Sequence, residues 1–112
     1  MNLSKEAKQI IQESHYQETL LDLIKYTEKA LANTGSTPEE LQWTMLINHL
    51  NEMIRREKDQ QYLENVDLEM FSEISQKSLT IAEKIANKIG QLPKDEVYVL
   101  SIHFERFKQN NK

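Results

Sequence analysis

The chain has 112 residues, 38% of them hydrophobic and 29% charged, which suits one folded domain and is too apolar for a disordered chain and too polar for a membrane protein. Its net charge of −4 argues against direct nucleic-acid binding, which needs a basic face to neutralise phosphates, and the lack of cysteine removes disulfides and thiolate zinc sites. No apolar run approaches the roughly 20 residues of a membrane span, and Met1 to Ile10 carries lysines and a glutamate where a signal peptide needs an apolar stretch, so the expectation is one cytoplasmic domain over residues 1–112.

Leu20, Leu21, Ile24, Ala30 and Leu31 recur at helical spacing. Ile10 and Ile11 begin the same pattern before a polar interruption at Gln12 to Gln17, which predicts a long first helix bent near Ser14. Gly35-Ser36-Thr37-Pro38 reads as a turn, with glycine ending one helix in the left-handed conformation and proline in the first turn of the next. Thr37 is expected to cap that helix and Glu40 to complete a capping box. Leu41, Met45, Leu46, Leu50, Met53 and Ile54 then form an apolar stripe that dies into the polar connector Glu57 to Gln61. Arg55, Arg56 and Lys58 are interleaved with Glu52, Glu57 and Asp59, the pattern of a solvated helix end.

From Asp67 onward Leu68, Phe71, Ile74, Leu79, Ala82, Ile85 and Ile89 predict either one helix or a short helix leading into a longer one, with any break near Ser72 to Gln76. Gly90-Gln91-Leu92-Pro93 repeats the earlier punctuation, and Asp95 and Glu96 suit the positive end of a following helix that carries Val97, Val99, Leu100, Ile102, Phe104 and Phe107. Each half thus has a helix, a Gly-x-x-Pro turn and a helix with a histidine ten or eleven residues after the proline. The fold expected is a compact all-α bundle of four or five helices.

Catalytic signatures are sparse. Two isolated glycines cannot build a phosphate-binding loop of the Walker or dinucleotide type. Ser75, Ser78 and Ser101 lack the strand-turn-helix elbow of a hydrolase, and no histidines stand four apart on one helix as zinc ligands would. The expectation is a protein that regulates or binds, with no cofactor and no metal. His49 and His103 lie at the margin of apolar stripes and each shares a helix face with an arginine, Arg56 and Arg106. A histidine acting as phosphoryl acceptor needs a neutral ring nitrogen, a group that sets its tautomer and a nearby cation. Arg56 or Arg106 supplies the cation in this reading, and Glu96 or Asp95 orients an imidazole. Two rival readings remain. In one, the histidines are structural and Trp43, Tyr98, Phe104 and Phe107 contribute to a constitutive partner surface; in the other, both histidines hold a metal with Asp95, Glu96 or Glu105.

The stretches Leu46 to Arg56 and Asp95 to Phe104 resemble the phosphotransferase-system regulation domain, or PRD. In that family an arginine follows the first histidine by seven residues, as Arg56 follows His49, and a glutamate precedes the second by seven, as Glu96 precedes His103. The resemblance implies a five-helix bundle that forms a homodimer. It also implies phosphorylation on His49, His103 or both by the phosphocarrier HPr or by sugar-specific enzyme II components, and a link to transcription regulation and antitermination. Family members usually carry two such modules behind an RNA-binding or DNA-binding domain. This chain has one module and neither reader, and the expected output is a change in self-association or in contact with a separate regulator protein. Phe71-Ser72-Glu73-Ile74 also lacks the aromatic-proline step of the family. His15 has no counterpart and reads as surface.

Overall fold

A computed structural model describes residues 3–108; the polar tail from 109 to 112 lies outside the described residues. Among the described residues five α-helices form: α1 (Lys5–Glu13), α2 (Gln17–Ala32), α3 (Glu40–Asp59), α4 (Gln76–Ile89) and α5 (Lys94–Phe107), with a 3₁₀ helix (Leu68–Phe71) ahead of α4. The second alternative for the stretch after Asp67 is therefore the observed one.

The long first helix is two helices. Ser14 takes an extended conformation, its hydroxyl donates to Asn51 Oδ1 of α3 at 2.6 Å, and the same oxygen accepts the Tyr16 N–H. A side chain that hydrogen-bonds its own backbone and a neighbouring element competes with helix continuation, which turns the expected bend into a break. At the other end of α1, Ser4 caps the helix by accepting the Ala7 N–H and meets the Thr44 hydroxyl of α3.

Helix α3 starts later than Thr37 and Pro38 suggest. Glu39 is the N-cap, and a reciprocal capping box forms between Glu39 and Gln42, whose side chain accepts the Glu39 N–H at 2.9 Å; Glu40 is instead the first helical residue. The two proline turns also differ. Gly35 has φ 76°, the left-handed conformation that glycine adopts without steric penalty, whereas Gly90 has φ 164°, which is ordinary extended backbone. What requires glycine at position 90 is space: a Cβ there would lie 2.7 Å from Glu57 Cδ. The Glu57 carboxylate accepts the Tyr62 hydroxyl at 3.0 Å. Since only the end of the Glu57 side chain must move, Gly90→Ala is expected to cost about 1 kcal/mol. The loss should vanish in a Glu57→Ala background, as a double-mutant cycle by chemical denaturation would measure; an equal loss in both backgrounds would rule out this contact as the cause.

All five helices contribute to one core. Leu20, Ile24, Leu46, Ile47, Leu50, Met53, Ile54, Ile85, Leu100, Phe104 and Phe107 are its largest buried apolar side chains. The inward face of α3 is rotated from the stripe read in the sequence: Trp43 and Ile47 are buried, while Leu41 is 69% and Met45 46% exposed. Leu21 of α2 is likewise exposed and Leu23 takes its place inside. Helices α4 and α5 form the most extensive pairing, and α3 packs against all four other helices. The start of α4 is tied to the last turns of α5, where Glu105 Oε1 accepts the Ser75 N–H and the Ser75 and Ser78 hydroxyls at 2.8–3.0 Å. Among the described residues no helix is long and apolar enough to cross a membrane.

Candidate functional site

The packing of α3 against α5 brings together two histidines 54 positions apart in the chain. His49 Nδ1 and His103 Nε2 are 3.0 Å apart, and the rings meet edge to face with centroids 4.9 Å apart. One nitrogen must donate and the other accept, so the pair as built requires at least one neutral ring. Burial, His103 and the nearby Arg56 lower the His49 pKa to about 4 against a smaller opposing effect of Glu96, and burial and Arg106 lower that of His103 to about 4. Both rings are therefore neutral at physiological pH. The second nitrogen of His49, Nε2, is buried and has no hydrogen-bond partner.

Two helical turns beyond His49, Arg56 donates from Nε to Glu96 Oε2 at 2.7 Å and from Nη2 to Glu96 Oε1 at 2.9 Å. This bidentate geometry is the strongest form of an arginine–carboxylate pair. Glu96 is fully buried in the first turn of α5 and also accepts the Leu63 N–H from the connector at 3.0 Å. The solvated-end reading therefore holds for Arg55, which is exposed and pairs with Glu52 and Asp59, and fails for Arg56. It fails because a carboxylate on another helix, invisible to local charge patterning, takes Arg56 out of solvent.

Met45, Asn48, His49, Glu52, Arg56, Leu63, Val99 and His103 line an open cleft of about 380 Å³. Of the residues singled out in the sequence, His49, His103 and Arg56 share this cleft. Glu96 stands behind Arg56 and accepts from the Arg56 guanidinium and the Leu63 N–H, not from an imidazole. Asp95 lies at the Val66 N–H of the connector at 3.5 Å, and Arg106 is exposed on the last turn of α5, acting on His103 through its field. The residue that meets each imidazole is the other imidazole.

The sequence had no signal for Leu63, which enters through a backbone amide, or for Val99 and Asn48 as cleft walls. Of the partner surface drawn on aromatic side chains, Trp43, Phe104 and Phe107 are core residues, and Tyr98 stacks on Phe71 with ring centroids 5.6 Å apart. The reason is that a helical stripe of large apolar groups is first of all a packing surface. The carboxylates considered as metal companions, Asp95, Glu96 and Glu105, are held by Val66, Arg56 and Ser75. Among the described residues no three His, Asp or Glu side chains converge.

Residues 21–107 match the family model for the PRD domain. The chain belongs to the PRD family. A solved structure of a PRD-containing transcription regulator from Lactobacillus casei ATCC 334 is similar to this PRD throughout, with 39% sequence identity over 97% of each chain and a TM-score of 0.90. No curated protein matches this PRD. The five-helix bundle expected from the resemblance is thus the fold of the family, and the module is regulatory in type.

Proposed function

We propose that this PRD is a sensor of the sugar phosphotransferase system. It accepts a phosphoryl group at the His49–His103 pair from HPr or a sugar-specific enzyme II component, acts in the cytoplasm, and is not itself an enzyme. The observation that supports this most directly is the pair itself: two neutral imidazoles in an open cleft, with the Arg56 guanidinium in the same wall. Phosphoryl transfer depends mainly on positioning and on charge stabilisation, so a neutral ring nitrogen near a fixed cation is sufficient protein chemistry for an acceptor. Arg56 and Arg106 offset the added charge. Asp95 and Glu96 serve indirectly, by fixing the connector and Arg56.

A phosphoryl group adds nearly two negative charges where the two rings now touch, so the contact between α3 and α5 must adjust. A bias of about 1–3 kcal/mol on a dimer or on contact with a separate regulator is typical of such coupling and is enough to switch transcription regulation. Incubation with phosphoenolpyruvate, enzyme I and HPr, followed by intact mass and sedimentation, tests this. The expected result is an acid-labile adduct, lost when both histidines are replaced by alanine, accompanied by a change in self-association. An unmodified mass beside fully phosphorylated HPr, also after cognate enzyme II domains are added, would remove the sensor reading.

A further inference from the structure

The shared proton of the histidine pair distinguishes the two rings. If His103 Nε2 carried the hydrogen, His49 would carry its own on Nε2, which is buried without any acceptor. A buried N–H without a partner is among the rarest features of folded proteins, whereas an unpaired acceptor is more readily tolerated. The hydrogen therefore belongs on His49 Nδ1. That leaves His103 protonated at Nδ1, with its free electron pair at Nε2 held by the His49 N–H.

We infer that His103 is the phosphoryl acceptor of this module, through Nε2, and that His49 is its positioning residue, donating from Nδ1; this rests on the acceptor reading above. His49 is the poorer nucleophile of the two. Its Nδ1 electron pair is used up by the hydrogen, and its Nε2 is closed off from a phosphorylated partner protein. His103 stands on α5 with its reactive nitrogen directed at the cleft wall formed by His49. When the pair opens, the Nε2 electron pair attacks the phosphorus of a phosphohistidine on the donor protein. The new P–N bond forms as the donor P–N bond breaks, and that electron pair returns to the donor imidazole. The proton on His103 Nδ1 passes through water to the departing donor ring, so both rings end neutral. The His49 Nδ1–H, which first set the tautomer, then lies beside the phosphoryl oxygens and donates to them.

The test uses the full chain with phosphoenolpyruvate, enzyme I and HPr, read by intact mass, peptide mapping and ³¹P NMR, which distinguishes phosphorus on Nε2 from phosphorus on Nδ1. The wild type is expected to carry its adduct on Nε2 of His103, and His103→Ala to carry none. His49→Ala should slow transfer about tenfold, the worth of one hydrogen bond. Asparagine places its amide where histidine has Nδ1, and glutamine places its amide where histidine has Nε2. His49→Asn is therefore expected to restore the rate, and His49→Gln to behave like His49→Ala. An adduct on His49 in the His103→Ala protein, phosphorus on Nδ1 of His103 in the wild type, or equal rescue by asparagine and glutamine would overturn the assignment alone. No adduct on any of these proteins, with HPr itself phosphorylated, would overturn both the assignment and the sensor reading beneath it.

Discussion

Glu96→Ala is expected to destabilise the fold by about 3–5 kcal/mol, the usual loss when one partner of a buried ion pair is removed. For a domain of this length that lowers Tm by about 10 °C or more. The size follows from what is left behind. Glu96 is fully buried and the Arg56 side chain is only 15% exposed, so the guanidinium would keep its charge in a poorly solvated place with both carboxylate contacts gone. The Leu63 N–H would lose its acceptor as well, which releases the connector from the start of α5. Glu96→Gln should fall between the two, since it retains an acceptor and loses the charge. The pair need not be a net stabiliser relative to apolar side chains, because removing two charges from water is itself costly. The double replacement Arg56→Met with Glu96→Leu is therefore expected to recover the part of the loss that comes from the stranded guanidinium, but not the part that comes from the Leu63 N–H, which leucine cannot accept, while abolishing the cation in the cleft. Urea denaturation of the four proteins decides the matter. A loss below about 1 kcal/mol for Glu96→Ala would place the pair in the class of exposed salt bridges.

The second large effect is a loss of stability between about pH 6.5 and pH 4. In the unfolded chain His49 and His103 protonate with the ordinary histidine pKa of 6.5, whereas in the folded state burial and neighbouring positive charge hold both near 4. Between these values the unfolded state binds more protons, so stability falls as pH falls through the window and levels off for these groups below it. Keeping even one imidazole neutral over that range accounts for about 3 kcal/mol. The carboxylates contribute lower on the scale. Burial raises the Glu105 pKa, but the hydrogen bonds from Ser75, Ser78 and Lys108 outweigh it and hold the group at about 2, so its contribution is present above about 4.5 and is lost as pH falls toward 2. A denaturation series at pH 7, 6, 5 and 4 should therefore show a slope that His49→Asn with His103→Asn largely removes. An unchanged slope in that double variant would mean that the histidines are accessible and titrate normally.

Much of the fold was legible in the chain. Two Gly-x-x-Pro stretches marked two helical turns, apolar spacing marked the helices around them, and the carboxylates after Pro93 marked the start of α5. Local signals were less reliable at the edges. Thr37 and Glu40 satisfied the pattern of a capping box, yet Glu39 and Gln42 form it, because several overlapping residues meet the same short-range rule and the arrival angle of the chain selects among them. The α3 stripe was seen, but not its centre: Leu41 and Met45 fit the period as well as Trp43 and Ile47, and only the positions of the neighbouring helices decide which pair is covered.

The site divides in the same way. Spacing and resemblance singled out His49, Arg56, Glu96 and His103, and placed each on a helix face, because those relations are set within one helix by its pitch. Which of them touch is set between helices. Glu96 shares a face with His103 along α5, and on that basis it was expected to orient an imidazole; in the folded chain it reaches Arg56 of α3 and Leu63 of the connector instead. The bond between His49 and His103, the buried nitrogen that fixes its direction, and the low proton affinity of both rings arise only when α3 packs on α5 and removes water from the space between them. Periodicity along a chain determines what a helix can present, and the crossing of two helices determines what it meets.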